Sequence, residues 1–253
     1  MSEPISQSLQ NPVVEAVVDL ECDLPPGFQL AALEAPAREV FSERYPVCRT
    51  QFLQQHTLET KSEAGVQYSV KHGIQAFQFH STDEKEIVQV RNTGYSFNRL
   101  APYDSLSAYL PEVERTWRLF TALVRPEQVR TVRLRHLNRL PLPSPAGRVN
   151  LDEYFRVAPH LPDEENLTFT GFLNQHTAVE AGTGHVVNTV LTTQPPEKGT
   201  LPVIFDNCVE AHVAVEPENW PWILEKIVAL RALSYRIFTN TLTPKCLSQF
   251  QLP

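Results

Sequence analysis

Two segments of this chain alternate apolar and charged residues with a period of two, and their charges are opposite. In Asn11-Pro12-Val13-Val14-Glu15-Ala16-Val17-Val18-Asp19-Leu20-Glu21-Cys22, the residues Val14, Ala16, Val18, Leu20 and Cys22 fall on one side and Glu15, Asp19 and Glu21 on the other. In Val132-Arg133-Leu134-Arg135-His136-Leu137-Asn138-Arg139-Leu140, the residues Arg133, Arg135 and Arg139 lie opposite Val132, Leu134 and Leu140. Successive side chains of a strand point to opposite faces, so both segments predict strands with one face toward a core. Between them the pattern predicts a helix over Phe28–Tyr45 that Pro36 bends or truly starts, then strands near Thr50–Thr60, Val66–Lys71, Gln75–His80 and Glu86–Asn92, an antiparallel meander. Val113, Trp117, Phe120 and Val124 recur at helical spacing and end a second helix that begins at Asp104 or Pro111.

After the arginine-striped segment, a proline-rich crossing and a short helix near Leu151–Arg156 lead to strands at Leu167–Ala178, His185–Thr193 and Val203–Val215. The first two are joined by the turn Ala181-Gly182-Thr183-Gly184. A last helix, capped by Asn219 with Pro221 in its first turn, carries Ile223, Ile227, Leu230 and Ile237 on one face and runs to Phe238. Trp220 and Trp222 near its start read as core anchors. The order strand, helix, several strands, helix thus occurs twice, over residues 1–126 and 127–253. This predicts an α+β fold, a pseudo-duplicated antiparallel sheet with long helices on one face, in the manner of the TATA-binding-protein-like or helix-grip saddle. There the first strand of each half lies beside its counterpart at the centre, and the acid and arginine stripes meet.

Five phrases carry a resemblance. They are Asn11-Pro12-Val13-Val14-Glu15-Ala16-Val17; Arg44-Tyr45-Pro46; Phe77-Gln78-Phe79-His80-Ser81 with Val88-Gln89-Val90; Leu134-Arg135-His136-Leu137-Asn138; and Phe238-Thr239-Asn240-Thr241-Leu242-Thr243. Together they resemble a sporadically distributed family of bacterial and archaeal proteins that open with an Asn-Pro-[Ile/Val]-x-Glu-Ala strand and have no established activity. The resemblance implies a fold and a bacterial setting, and it transfers no catalytic residue. The family's patchy distribution is that of accessory genes for phage defence or toxin neutralisation.

Composition narrows the classes. The 253 residues are 42 % hydrophobic, and no apolar run approaches the roughly 20 residues of a membrane span. Met1–Gln10 is polar and lacks the pattern of a signal peptide, so the expected location is cytoplasmic with no membrane partner. Cys22, Cys48, Cys208 and Cys246 show no C-x-x-C spacing and read as reduced thiols. The net charge of −7 opposes nucleic acid overall. Locally, however, Arg125, Arg130, Arg133, Arg135, Arg139 and Arg148 face only Glu127, a surplus of five positive charges.

Nucleotide-binding, serine-hydrolase and zinc-protease motifs are absent from the sequence, and nine glycines leave little for a phosphate-cradling loop. No cofactor is expected. His212 shares a strand face with Asp206 and Glu210, and with His176 on another strand they would suit a divalent metal or acid–base chemistry, so a metal-dependent enzyme on the His212 and Glu210 face is one alternative. The competing reading is a solvated sheet face, and His56, His80 and His136 also read as sheet-surface residues.

The arginine stripe has three readings: an ion-pair lattice with Glu15, Asp19 and Glu21, a phosphate or nucleic-acid patch spanning Arg125 to Arg148, or a surface for an acidic protein. Gln67, Ser69, Gln78, Gln89 and Asn188 add amides and hydroxyls to what would be a polar platform. The expected function is a non-catalytic binding or adaptor protein with a protein partner. Its candidate contacts are Arg133, Arg135, Arg139, Glu15, Asp19, Glu21, Gln78, Gln89 and His212, and nucleic acid is the less favoured partner.

Overall fold

The computed structural model describes residues 11–61, 65–144, 149–160, 170–197 and 199–250, with side chains described throughout except over 54–72. The elements in chain order are β1 (Val13–Asp23), a 3-10 turn at Leu30–Leu33, α1 (Glu34–Phe41), β2 (Val47–Lys61), β3 (Gly65–His80), β4 (Glu86–Arg91), β5 (Gly94–Leu100), α2 (Leu106–Val124) and β6 (Gln128–Pro143). A 3-10 turn at Leu151–Glu153, β7 (Leu173–Val179), β8 (Val186–Thr193), β9 (Thr200–Val215), α3 (Trp220–Thr241) and α4 (Pro244–Leu247) follow. The strands form one antiparallel sheet of nine, in the order β2-β3-β4-β5-β1-β6-β9-β8-β7.

The central strand β1 lies between β5 and β6, and Asp19 is level with Ser96 on one side and Arg133 on the other. The apolar rows all face one way. Ala16, Val18 and Leu20 of β1 continue into Tyr95 and Phe97 of β5, Val88 and Val90 of β4, and Phe77 and Phe79 of β3. On the other side they continue into Val132 and Leu134 of β6 and Val209 and Ala211 of β9. This single face packs against α1, α2 and α3, which contribute Phe41, Trp117, Phe120, Ile223, Ile227 and Leu230 to the same core. A second cluster, Leu140, Leu142, Leu191, Val203 and Phe205 with Phe238, Leu242 and Cys246, lies under the far ends of β6, β8 and β9. Among the described residues, the helices in both clusters lie on this one face.

Several elements differ from expectation for local reasons. The first helix is shorter, a 3-10 turn followed by α1, and Pro36 sits in the first turn of α1, where a missing N–H costs nothing. Val66–Lys71 and Gln75–His80 are one strand, β3, running through Gly73. The alternating β5 was not expected, yet it is the neighbour of β1. It begins at Gly94, whose φ is +139° and where a Cβ would lie 2.2 Å from the Leu20 carbonyl oxygen, so only glycine lets the two strands approach. A bulge between Val13 and Glu15 turns Val13, rather than the expected Val14, toward the core. At α3, Asn219 Oδ1 accepts from the Trp222 amide at 3.4 Å as expected. Trp220 is buried, whereas Trp222 is half-buried with Lys226 Nζ 5.3 Å from its ring centre.

Candidate functional site: an ion-paired sheet face and a polar cavity beneath it

The charged stripes meet on the helix-free face. Arg133, on β6, bridges three strands: Nη1 donates to Asp19 Oδ1 and Glu21 Oε1 of β1, each at 3.2 Å, and Nε donates to Glu210 Oε2 of β9 at 2.6 Å. Asp19, 5 % exposed, is held from its other side by Arg91 Nη2 of β4 at 2.6 Å. Burial raises the Asp19 carboxyl above its usual range against the pull of these two arginines. Burial likewise works against the Arg133 charge, but Glu210, Asp19 and Glu21 outweigh it and hold the guanidinium above its usual range.

The rest of the stripe is paired differently from expectation, because register decides reach. Glu15 stands level with Leu137, so it meets no arginine of β6 and instead accepts from Asn98 Nδ2 at 2.6 Å. Arg135 stands level with Val17 and Cys208 and makes a two-point contact with Asp206 of β9, at 2.8 and 2.5 Å. Arg139 lies beyond the end of β1 and pairs with Glu197 at 2.7 Å. Arg130 pairs with Asp23 at 3.0 Å. The surplus counted along the chain is therefore neutralised at four of its six arginines, three from other strands and Arg139 from Glu197 between β8 and β9, and Arg148 lies outside the described residues.

Amides extend the lattice toward β2. Gln78 Nε2 donates to Gln51 and to Gln89, Gln89 Nε2 to Asn98 at 3.0 Å, and Asn98 to Glu15, a row across five strands that ends on a carboxylate. Gln67 and Ser69, expected on this face, belong to the side chains outside the described ones.

The histidines are distributed otherwise than expected. His212 lies on the helix-free face, 3.8 Å from Glu210, and its neighbours Asp206 and Glu210 are committed to Arg135 and Arg133. His176 is level with Thr189, which is level with Asn207, a row that faces the helices, so His176 and His212 are on opposite sides of the sheet. Among the described residues no group of three or more His, Cys, Asp or Glu side chains is placed to hold a metal. His80 is buried, not at the surface, and burial lowers its pKa. The side chain of His56 lies outside the described ones. The four cysteines are free, and burial pushes the Cys22 and Cys246 thiols up to about 12 and Cys208 to about 11, so they stay protonated at neutral pH.

His136 is the larger departure. Its position on β6 follows Val132 and Leu134 on the row that faces the helices, and beside it in register stand Asn207 of β9 and then Thr189 of β8. Three neighbouring strands thus each place a polar residue in an apolar row, under Ser234 of α3. Asn207 Nδ2 donates to the Ser234 carbonyl at 2.8 Å and to Ser234 Oγ at 3.1 Å, and Ser234 Oγ lies 3.1 Å from His136 Nδ1. His136 Nε2 is 3.5 Å from the Tyr103 hydroxyl. Burial, then the positive charge of Arg231, lowers the His136 pKa to about 4, so the ring is neutral.

His136, Asn207, Ser234, Tyr103 and Arg231 line a cavity of about 60 Å³, bounded on one side by Asn11, Pro12 and Val13, where β1 enters the sheet, and on another by Phe238. None of the candidate contacts read from the sequence lines it. The available signal was the interruption of the inward apolar row of β6 by His136 and Asn138 and of β9 by Asn207. The segments around Asn11, His136 and Phe238 converge here from distant parts of the chain.

Compared with known proteins, the chain matches no family model, no curated protein and no solved structure.

Proposed function

We propose that this chain is a non-catalytic binding or adaptor protein that engages a protein partner through the edge strand β7. One observation carries this. β7 is the last strand of the sheet, and no described strand pairs with its outer side. Its seven residues, Leu-Asn-Gln-His-Thr-Ala-Val, include no Asp, Glu, Lys or Arg and no proline, and Leu173 and Val179 are 69 % and 65 % exposed. Edge strands of soluble proteins are ordinarily blunted by charge, proline or covering, because their outward N–H and C=O groups invite another strand. An unblunted edge suits strand addition by a partner segment, with backbone hydrogen bonds for affinity and alternate side chains for choice. The central face supports this reading by contrast: its charges are spent on one another, which also disfavours a nucleic-acid surface along Arg133, Arg135 and Arg139. The resemblance adds a setting, bacterial defence or toxin neutralisation.

Leu173→Lys with Val179→Lys tests the proposal. Both positions are exposed, so folding stability should change by no more than about 0.5 kcal/mol per site. A partner that co-purifies from the native host with the parent chain should be lost with the double variant and kept with Phe52→Lys, an exposed residue of the opposite edge strand. Retention by the double variant would place the contact elsewhere.

We further infer that the two halves are a pseudo-duplicated saddle. In each half the first strand pairs with the last, β1 with β5 and β6 with β9, and a long helix follows; β1 and β6 then run side by side and antiparallel. The second half has one strand fewer after its first.

A further inference from the structure

We propose that the cavity between the start of β1 and α3 is a binding site for a small hydroxylated carboxylate, with the carboxylate on Arg231 and Tyr103 and the ligand hydroxyl on Asn207. The site is separate from the β7 edge, which lies two strands away from Asn207 of β9.

The charge of the cavity selects the ligand's sign. Arg231 lines it and has no carboxylate partner among the described residues, whereas Arg91, Arg99, Arg133, Arg135 and Arg139 on the sheet each have one. No Asp or Glu lines the cavity. The guanidinium field reaches its interior, since it disfavours the protonated form of His136 and favours ionisation of Tyr103 against the opposing effect of burial. An uncompensated guanidinium beside a half-enclosed polar space attracts an anion, and its planar fork fits a carboxylate.

The hydrogen-bond directions fix what else the ligand must carry. Asn207 is 1 % exposed and lines the cavity; its Nδ2 is committed to Ser234, and its Oδ1 accepts from no group among the described residues. A buried acceptor without a donor is costly, and a ligand O–H or N–H would recover that cost. In the tautomer with the His136 proton on Nε2, Ser234 Oγ accepts from Asn207 and donates its own proton to His136 Nδ1. That ring directs its Nε2 proton at the Tyr103 oxygen, and with the Tyr109 hydroxyl donating to the same oxygen the Tyr103 O–H donates into the cavity. Two donors, Arg231 and Tyr103, and one acceptor, Asn207 Oδ1, match an oxyanion that bears a hydroxyl. A volume of about 60 Å³ holds roughly four waters, the size of a two- to four-carbon acid.

Calorimetric titration of the full chain with glycolate, acetate and inorganic phosphate tests the site. Glycolate should bind saturably. Acetate, which has no donor for Asn207, should bind at least about fivefold more weakly, a difference of about 1 kcal/mol. Arg231→Gln should weaken glycolate at least about tenfold. Arg236→Gln, an exposed cation of the same helix that pairs with Glu180, should leave it unchanged. No saturable heat up to about 50 mM glycolate, equal binding by Arg231→Gln, equal binding of acetate, or phosphate bound in preference would each overturn the assignment. Loss of the β7 partner in the Lys variant with glycolate binding intact would leave this site standing.

Discussion

At the scale of single residues, two side chains carry more than their neighbours. His136 is held neutral in the fold, with a pKa near 4 against an ordinary value of 6.5. Its folded pKa is depressed, so the folded state binds fewer protons than the unfolded chain between those two values. The neutral ring's contribution is whole above pH 6.5 and is lost as pH falls toward 4, on the order of 2–3 kcal/mol. Denaturant unfolding at a series of pH values should show that loss, and His136→Gln should flatten the profile over the same window; an unchanged slope would mean that the ring is not shielded. Arg133 is the other. Arg133→Met deprives Glu210 of its only guanidinium contact among the described residues, while Asp19 keeps Arg91. The single change should cost about 1–3 kcal/mol, and adding Glu210→Gln should recover part of it. A double-mutant cycle should give a coupling of at least about 0.5 kcal/mol, and strict additivity would count against a shared network.

At the scale of elements, α3 joins the proposed cavity to the core. Its inner face places Ile223, Ile227 and Leu230 in the main core and Phe238 in the second, and the same helix turns Ser234 and Arg231 toward the cavity. Ile227→Ala removes a fully buried side chain and should cost about 2–5 kcal/mol in equilibrium unfolding. A loss of a few tenths would mean that α3 is peripheral. On the outer face Val228 is exposed and a change there should fall within about 0.5 kcal/mol, so the contrast between faces is itself measurable.

At the scale of the whole molecule, the halves share both a sheet and a core. β1 donates its inner row to both sides, and Trp117 of α2 donates its indole N–H to the Pro217 carbonyl in the second half at 3.0 Å. Residues 1–126 alone would leave the β6 side of β1 unpaired and uncover the core beneath it. The full chain should therefore unfold in one transition that coincides by far-UV and near-UV circular dichroism. The isolated first half should lack the dispersed amide spectrum of a folded domain, and a well-dispersed spectrum would show that it is autonomous.

The strands and helices were largely legible because burial on one face imposes a period of two or of 3.6, and both survive in a single sequence. So was the meeting of Asp19 with Arg133, since opposite stripes on sheet neighbours satisfy each other. What the sequence alone could not decide was which charge meets which: Glu15 turned to Asn98 and Arg135 to Asp206 because register and a bulge, both products of strand pairing, set reach to within one residue. The cavity was hidden for the same reason. His136, Asn207 and Ser234 are each an ordinary polar residue in their own segment, and they become a site only when pairing brings β6 and β9 into register and the core seats α3 above them.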